Sequence, residues 1–224
     1  MGAPTRAEDR KRLHWNDSAE RHRLTRDAVL GGQRGRLIDA IVTSVEQKGY
    51  AATTLADIVA LARVSRSKFY EHFAGKEECF LEAMRVAQSV LARRIAEELD
   101  QLGTDDARTR IASVVDTFCE VVAAEPGLSR MVIVESLCMD RATVVLRDYA
   151  ADVCGEIYRE CYERARVEDP SLPVLSDALI GMIPDAIVER TRRVIIEEGA
   201  AALPAKAPLF LEFVHATLGL TRRD

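Results

Sequence analysis

The stretch Arg63–Glu78, RVSRSKFYEHFAGKEE, sets five basic residues, Arg63, Arg66, Lys68, His72 and Lys76, among three rings, Phe69, Tyr70 and Phe73. Arg and Lys donate hydrogen bonds to guanine acceptors, and Tyr donates to a phosphate oxygen. Lys76 follows Gly75 at the start of a new helical run. A helix N-terminus is partially positive, so a lysine there calls for a nearby anion. The chemistry these residues suit is recognition of a polyanion.

Bond-making chemistry has little to stand on. The four histidines, His14, His22, His72 and His215, have no cysteine or serine at a suggestive spacing. No glycine-rich phosphate loop or metal signature accompanies them. The expectation is a protein that is no enzyme, with no catalytic residues, no cofactor and no metal ligands. The five cysteines, Cys79, Cys119, Cys138, Cys154 and Cys161, include no CxxC pair. They read as reduced core thiols, with a thiol sensor as the lesser alternative.

Positioning such residues requires helices. The 224 residues are 48% apolar and 30% charged, and no alternating strand-like runs repeat. The expected fold is all-α. No apolar run reaches the roughly 20 residues of a membrane span and no secretory leader is evident, so a cytoplasmic location without membrane partners is expected. The net charge of −5 is unevenly distributed. Residues 1–84 hold 14 Lys/Arg against 12 Asp/Glu, and residues 85–224 hold 17 against 24. The acid load sits in the second part, which leaves room for a cationic surface in the first.

Residues 1–33 read as a charged, mobile arm with one short helix over LTRDAV. Its Arg10-Lys11-Arg12 run and Arg21, Arg23 and Arg26 fit either a minor groove or a solvated tail. An amphipathic helix then carries Leu37, Ile38, Ile41, Val42 and Val45 on one stripe, with Gly49 at its end. Thr54-Leu-Ala-Asp57 matches a capping box and opens a second helix through Ala62. Ser65 caps a third, running to about Phe73, and a long fourth runs from Lys76 towards Asp100. The turn Arg63-Val64-Ser65 makes the second and third helices a helix-turn-helix, whose second helix enters the major groove.

The run GYAATTLADIVALARVSRSKFYEHFAGKEECF resembles the tetracycline-repressor family of bacterial transcriptional regulators. Gly-Tyr, Thr-Thr, Val-Ser, Tyr-x-His-Phe and Lys-Glu stand in the family's order, densely from Arg34 to Ala83. The resemblance implies a three-helix DNA-binding head over residues 34–84 and a helical bundle over 85–224 for ligand binding and dimerisation. It further implies that Thr53 and Thr54 contact phosphates and that Arg66, Ser67 and Lys68 face bases. Tyr70, His72 and Lys76 would hold the DNA backbone, which makes a phosphate the anion that Lys76 calls for. The family's turn usually reads Ala-Gly-Val, and here it reads Ala62-Arg63-Val64. Arg63 either accepts a backbone angle that favours glycine or shifts the turn.

The second part reads as helices over roughly 105–123, 127–138, 140–166, 175–198 and 206–219, with Pro184 expected to kink the fourth. By the resemblance, a homodimer forms through the last two helices, and an effector occupies the middle ones. Leu179, Ile183, Ile187, Val194, Ile195, Phe210, Phe213, Val214 and Leu218 form apolar stripes that suit either a dimer or packing within one chain. Phe118, Met131, Val134, Glu135, Cys138, Tyr149, Val153 and Ile157 are the candidate pocket residues, for a mostly apolar small molecule. The function expected is a ligand-responsive regulator, most simply a repressor, of a near-palindromic operator. The alternative is a helical interaction or sensor protein with weakened DNA binding.

Overall fold

The computed structural model describes residues 32–103, 106–139 and 141–221. The arm over residues 1–33 and its short helix lie almost wholly outside that range. The described residues form nine α-helices and no strand. Helices α1 (Gly32–Ala52), α2 (Leu55–Ala62), α3 (Arg66–Tyr70) and α4 (Lys76–Gln101) come first. They are followed by α5 (Ala107–Ala124), α6 (Pro126–Ile133), α7 (Arg141–Glu168), α8 (Asp177–Glu197) and α9 (Ala207–Thr217). Two 3-10 segments, Glu135–Cys138 and Ala200–Lys206, precede α7 and α9.

Two apolar cores organise these helices. The first gathers the α1 stripe, Leu37, Ile38, Ile41, Val42 and Val45, around Ile58, Phe69, Phe73 and Phe80. It extends along α4 to Val90 and takes in Leu128 and Met131 of α6. The second core is built from α5 and α7–α9, with Ile95 of α4 and Ile133 of α6, and extends to Leu220. Because α4 and α6 contribute to both cores, the expected division at residue 84 falls inside a continuous helix.

Several joints follow from local chemistry. Within α1, Gly49 takes φ 79° and ψ 162°, which breaks the helix one turn before its end. Pro126 sits in the first turn of α6, where its missing N–H costs no bond. The segment expected as one helix over 127–138 divides into α6 and a 3-10 turn. Helix α8 runs from Asp177 to Glu197 with Pro184 inside it. The proline-containing 3-10 segment Ala200–Lys206 leaves no periodic signal in the sequence, and it packs Ala200 and Leu203 into the second core.

The apolar stripes of α8 and α9 are mostly used within the chain. Ile183, Ile187, Val194, Ile195, Phe210, Val214 and Leu218 are all buried. A second set on the same helices stays open, with Met182 62%, Ile196 52%, Leu209 49%, Phe213 39% and Leu179 38% exposed.

Candidate nucleic-acid interface and effector cavity

The helix-turn-helix is built by caps. The Thr54 N–H donates to Asp57 Oδ2 at 2.7 Å, and the Asp57 N–H donates to Thr54 Oγ1 at 3.2 Å, closing the capping box that opens α2. Lys48 Nζ lies 2.6 Å from Asp57 Oδ2. Its ammonium, followed by the Thr54 donors, holds the Asp57 carboxyl well below the usual carboxylate range. This acid is only half-buried, so the shift marks the cap's geometry more than a large energy.

Helix α2 ends in a Schellman motif. The Arg63 N–H donates to Ala60 O at 3.2 Å, and the Val64 N–H donates to Val59 O at 3.1 Å. That pattern requires a left-handed residue, and Arg63 supplies it at φ 53° and ψ 48°. It is the only non-glycine with positive φ among the described residues. Arg63 therefore accepts the glycine-favouring angle, and the turn keeps its register. Arg36 Nε donates to Ala62 O at 3.3 Å and ties this corner to α1.

Ser65 Oγ then accepts from the Lys68 N–H at 3.1 Å and caps α3. Regular helix ends at Tyr70, three residues before the expected Phe73. Helix-type bonds still reach Phe73, with the Glu71 N–H donating to Ser67 O at 3.1 Å and the Phe73 N–H donating to Phe69 O at 3.0 Å. Phe69 and Phe73 are buried with ring centroids 5.7 Å apart, so the core fixes the helix against α1. Arg66, Ser67, Lys68 and Tyr70 are left on the open face. Lys68 Nζ lies 2.8 Å from Glu71 Oε2. His72 is half-buried beside Phe73, with centroids 6.5 Å apart.

Two expected phosphate contacts are placed differently. Thr53 is 1% exposed, and its hydroxyl donates to Gly49 O at 2.8 Å and meets Ser44 Oγ at 3.1 Å. It bridges the break in α1 and offers nothing to a ligand. Thr54 is exposed but occupied as a cap. Lys76 Nζ donates to Tyr50 O at 2.9 Å and Thr53 O at 2.8 Å, and sits 4.0 Å from the centre of the Tyr50 ring. The negative end that Lys76 needs is thus the carbonyl terminus of α1. Partial burial pulls its pKa below the ordinary lysine value. Spacing conceals this clamp, because its partners lie 23 and 26 residues away.

Beyond the head, α4–α8 line a partly open cavity of about 170 Å³. Leu91, Phe118, Val122, Val132, Ala151 and Val188 supply apolar wall, while Glu125, Arg147, Asp148 and Asp185 supply charge. Of the eight expected pocket residues, only Phe118 lines it. Met131 is fully buried in the first core. Val134 and Ile157 pack against the second core, and Val153 is half-buried away from the cavity. Cys138 and Tyr149 are exposed to solvent. Glu135 instead accepts from the Tyr50 N–H at 3.1 Å and lies 3.5 Å from Arg130 Nη2. It is a strut between α6 and the end of α1.

On α7 the expected residues and the cavity-lining ones differ by a rotation. Arg147, Ala151 and Cys154 face the cavity at an i, i+4, i+7 spacing, whereas Tyr149 and Val153 lie two residues, about 200°, around the helix. Burial pushes the Cys79 and Cys119 thiols up to about 12, and raises Cys154 and Cys161 as well. Raised values oppose thiolate chemistry and speak against a thiol sensor. Among the described residues, no three His, Cys, Asp or Glu side chains are placed to hold a metal, and no helix is long and apolar enough to cross a membrane.

Comparison with known proteins follows the same division. The model of the bacterial regulatory proteins, tetR family, matches residues 37–83. The probable HTH-type transcriptional regulator ArpR of Pseudomonas putida is 39% identical over 75 residues, 31% of this chain and 36% of that protein. The HTH-type transcriptional regulator TtgR, also of Pseudomonas putida, is 37% identical over 75 residues, with the same coverage. The match thus spans about a third of the length of these curated relatives. Solved structures extend the likeness of fold over most of the chain. Bacillus subtilis FadR in complex with stearoyl-CoA superposes with a TM-score of 0.68 at 15% identity, over 80% of this chain and 96% of that one. A putative TetR-family regulator from Syntrophomonas wolfei gives 0.69 at 20% identity, over 86% and 98%.

Proposed function

We propose that this chain, which belongs to the tetR family of bacterial regulatory proteins, is a ligand-responsive repressor that binds a near-palindromic DNA operator as a homodimer. The observation that carries this reading is the capped helix-turn-helix, which buries Phe69 and Phe73 and turns Arg66, Ser67, Lys68 and Tyr70 outward. In this reading residues 34–84 form the DNA head and residues 85–224 the regulatory body. Arg66, Ser67 and Lys68 read base edges, and Tyr70, His72 and the Thr54 end of α2 lie along phosphates. Thr53 and Lys76 act from behind, holding the corner that presents those groups.

The open apolar set on α8 and α9, Leu179, Met182, Ile196, Leu209 and Phe213, supports pairing of two chains. Two heads then read half-sites one turn, about 34–36 Å, or a small multiple apart. The apolar wall of the cavity suits a small, mostly apolar organic effector. B. subtilis FadR, of the same fold, is in complex with stearoyl-CoA, whose acyl part is apolar.

Helix α4 begins at the head, and its residues Ala87 and Leu91 reach the cavity. Its 26 residues span about 39 Å at 1.5 Å each. An effector that favours one tilt of α4 changes the spacing of the heads and lowers operator affinity by its differential binding. A coupling of about 1–3 kcal/mol corresponds to a 5- to 150-fold change. The test is a gel shift with the DNA flanking the chain's own gene, followed by effector titration with and without that DNA. Retarded DNA and a weaker effector in its presence are expected. No retardation overturns the DNA reading, and equal effector affinities overturn regulation through the cavity.

A further inference from the structure

The head presents fewer free cations than its sequence suggests. Arg34 pairs with Glu82, Lys48 with Asp57 and Lys68 with Glu71. Arg36 is bonded to Ala62 O, and Lys76 is clamped on two carbonyls. Among the described residues of the head, Arg63 and Arg66 alone are exposed cations with no partner in the structure. Both flank Ser65, on the corner from which α3 departs.

Arg63 is also the residue that holds the strained angle. The Schellman motif demands a left-handed residue there, and glycine adopts that conformation without the Cβ penalty. An arginine is the less stable choice at this position. Its side chain recovers nothing in the folded chain, since it makes no hydrogen bond, ion pair or ring contact. Strain that no internal contact repays is a marker of a site used for something outside the chain.

We propose that Arg63 is a DNA-backbone contact, a guanidinium that binds a phosphate beside the groove entered by α3. It takes the role that the carbonyl clamp denies to Lys76. The inference rests on the DNA-binding reading above. A phosphate contact adds affinity and salt dependence on any duplex without reading its sequence.

The test uses the full chain and a 30-base-pair duplex of mixed sequence, labelled for fluorescence anisotropy over a salt series. Arg63→Gly and Arg63→Lys are compared with the parent, and melting temperature is recorded for each. Relief of the left-handed strain should raise the melting temperature of Arg63→Gly by about 2–4 °C. Its duplex binding should weaken about threefold per head, with the log-log salt slope shallower by about one unit per head. Arg63→Lys should keep the slope without the gain in melting temperature. A more stable Arg63→Gly that binds with unchanged affinity and slope overturns the contact. A less stable Arg63→Gly overturns the strain argument on which it stands. Failure of the parent itself to bind the duplex defeats the DNA-binding reading instead, so the two failures are distinguishable.

Discussion

The head and the body solve different packing problems with the same helices. In the head, Leu37, Ile38, Ile41, Ile58, Phe69, Phe80 and Met84 are all sealed at 1% exposure or less. In the body, helices of similar length leave a cavity of about 170 Å³. Buried polar atoms without a partner, including Arg94 Nε, Thr191 Oγ1 and His215 Nε2, all fall at residue 94 or beyond among the described residues. In the proposed function, a corner that presents side chains to a repeating polyanion gains from rigidity. A compartment that must accept a molecule gains from room, and the two needs meet along α4 and α6.

The largest test of that contrast is paired truncation. Phe80 is fully buried, with its ring edge-on to Tyr50 at a centroid distance of 4.9 Å. Phe80→Ala should cost about 3–5 kcal/mol in equilibrium urea unfolding. Phe118 already has one side on the cavity, so Phe118→Ala creates less new void and should cost clearly less than Phe80→Ala. Equal costs would mean that the body is packed as tightly as the head.

Next comes the clamp. Lys76→Met keeps the aliphatic stem but leaves Tyr50 O and Thr53 O without the ammonium. Charge-assisted bonds of this kind contribute about 1.5–3 kcal/mol, and the loss should appear as a lower melting temperature. DNA binding should weaken with the head's stability while the salt slope stays as in the parent. A slope shallower by a full unit would return Lys76 to the phosphate backbone.

The capping acids give a smaller effect with a defined sign. Asp57 is held below its ordinary value of 3.8 by Lys48 and Thr54, and Asp106 at the start of α5 is lowered by the Thr109 donors. A depressed carboxylate stabilises the fold above its unfolded pKa, and that contribution is lost as pH falls below about 4. Asp57→Asn should therefore flatten part of the acid limb of a stability-pH curve. Thr54→Ala should cost about 1 kcal/mol at neutral pH by removing the cap. An unchanged acid limb in Asp57→Asn would show that the capping box adds no pH-dependent stability.

The head was legible because its signals are local. Thr54 and Asp57 are three residues apart, Gly49 ends a clear stripe, and Ser65 stands directly before its helix. Each device is satisfied within a turn, so a short window of sequence holds all of its partners. The roles of Thr53, Lys76 and Glu135 were hidden because tertiary neighbours consume their polar groups. The Glu135 bond to Tyr50 spans 85 residues. The cavity was least legible. Helix α7 carries apolar residues on more than one side, and nothing in Tyr149 or Val153 distinguishes their stripe from that of Ala151 and Cys154.

The smallest effect concerns thiols and tests whether the cavity is open to solutes. Cys138 is exposed, whereas burial raises Cys79 and Cys119 to about 12. Thiolate is the reacting species, so N-ethylmaleimide at pH 7.5 should label Cys138 first and leave those two almost untouched. Cys154 is the informative case, because it lines the cavity and its pKa is also raised by burial. Its labelling should be slow at pH 7.5 and keep accelerating above pH 9, beyond the point at which an ordinary thiol levels off. A small apolar molecule seated in the cavity should slow Cys154 further and leave Cys138 unchanged, read by mass spectrometry of the digested chain. Stability should barely move, since neither residue carries a hydrogen bond or ion pair that the adduct would break. Labelling of Cys154 as fast as Cys138, indifferent to added apolar solutes, would show that the cavity wall opens directly to water. The head-body contrast would then be one of surface relief, and the body would have no enclosed compartment.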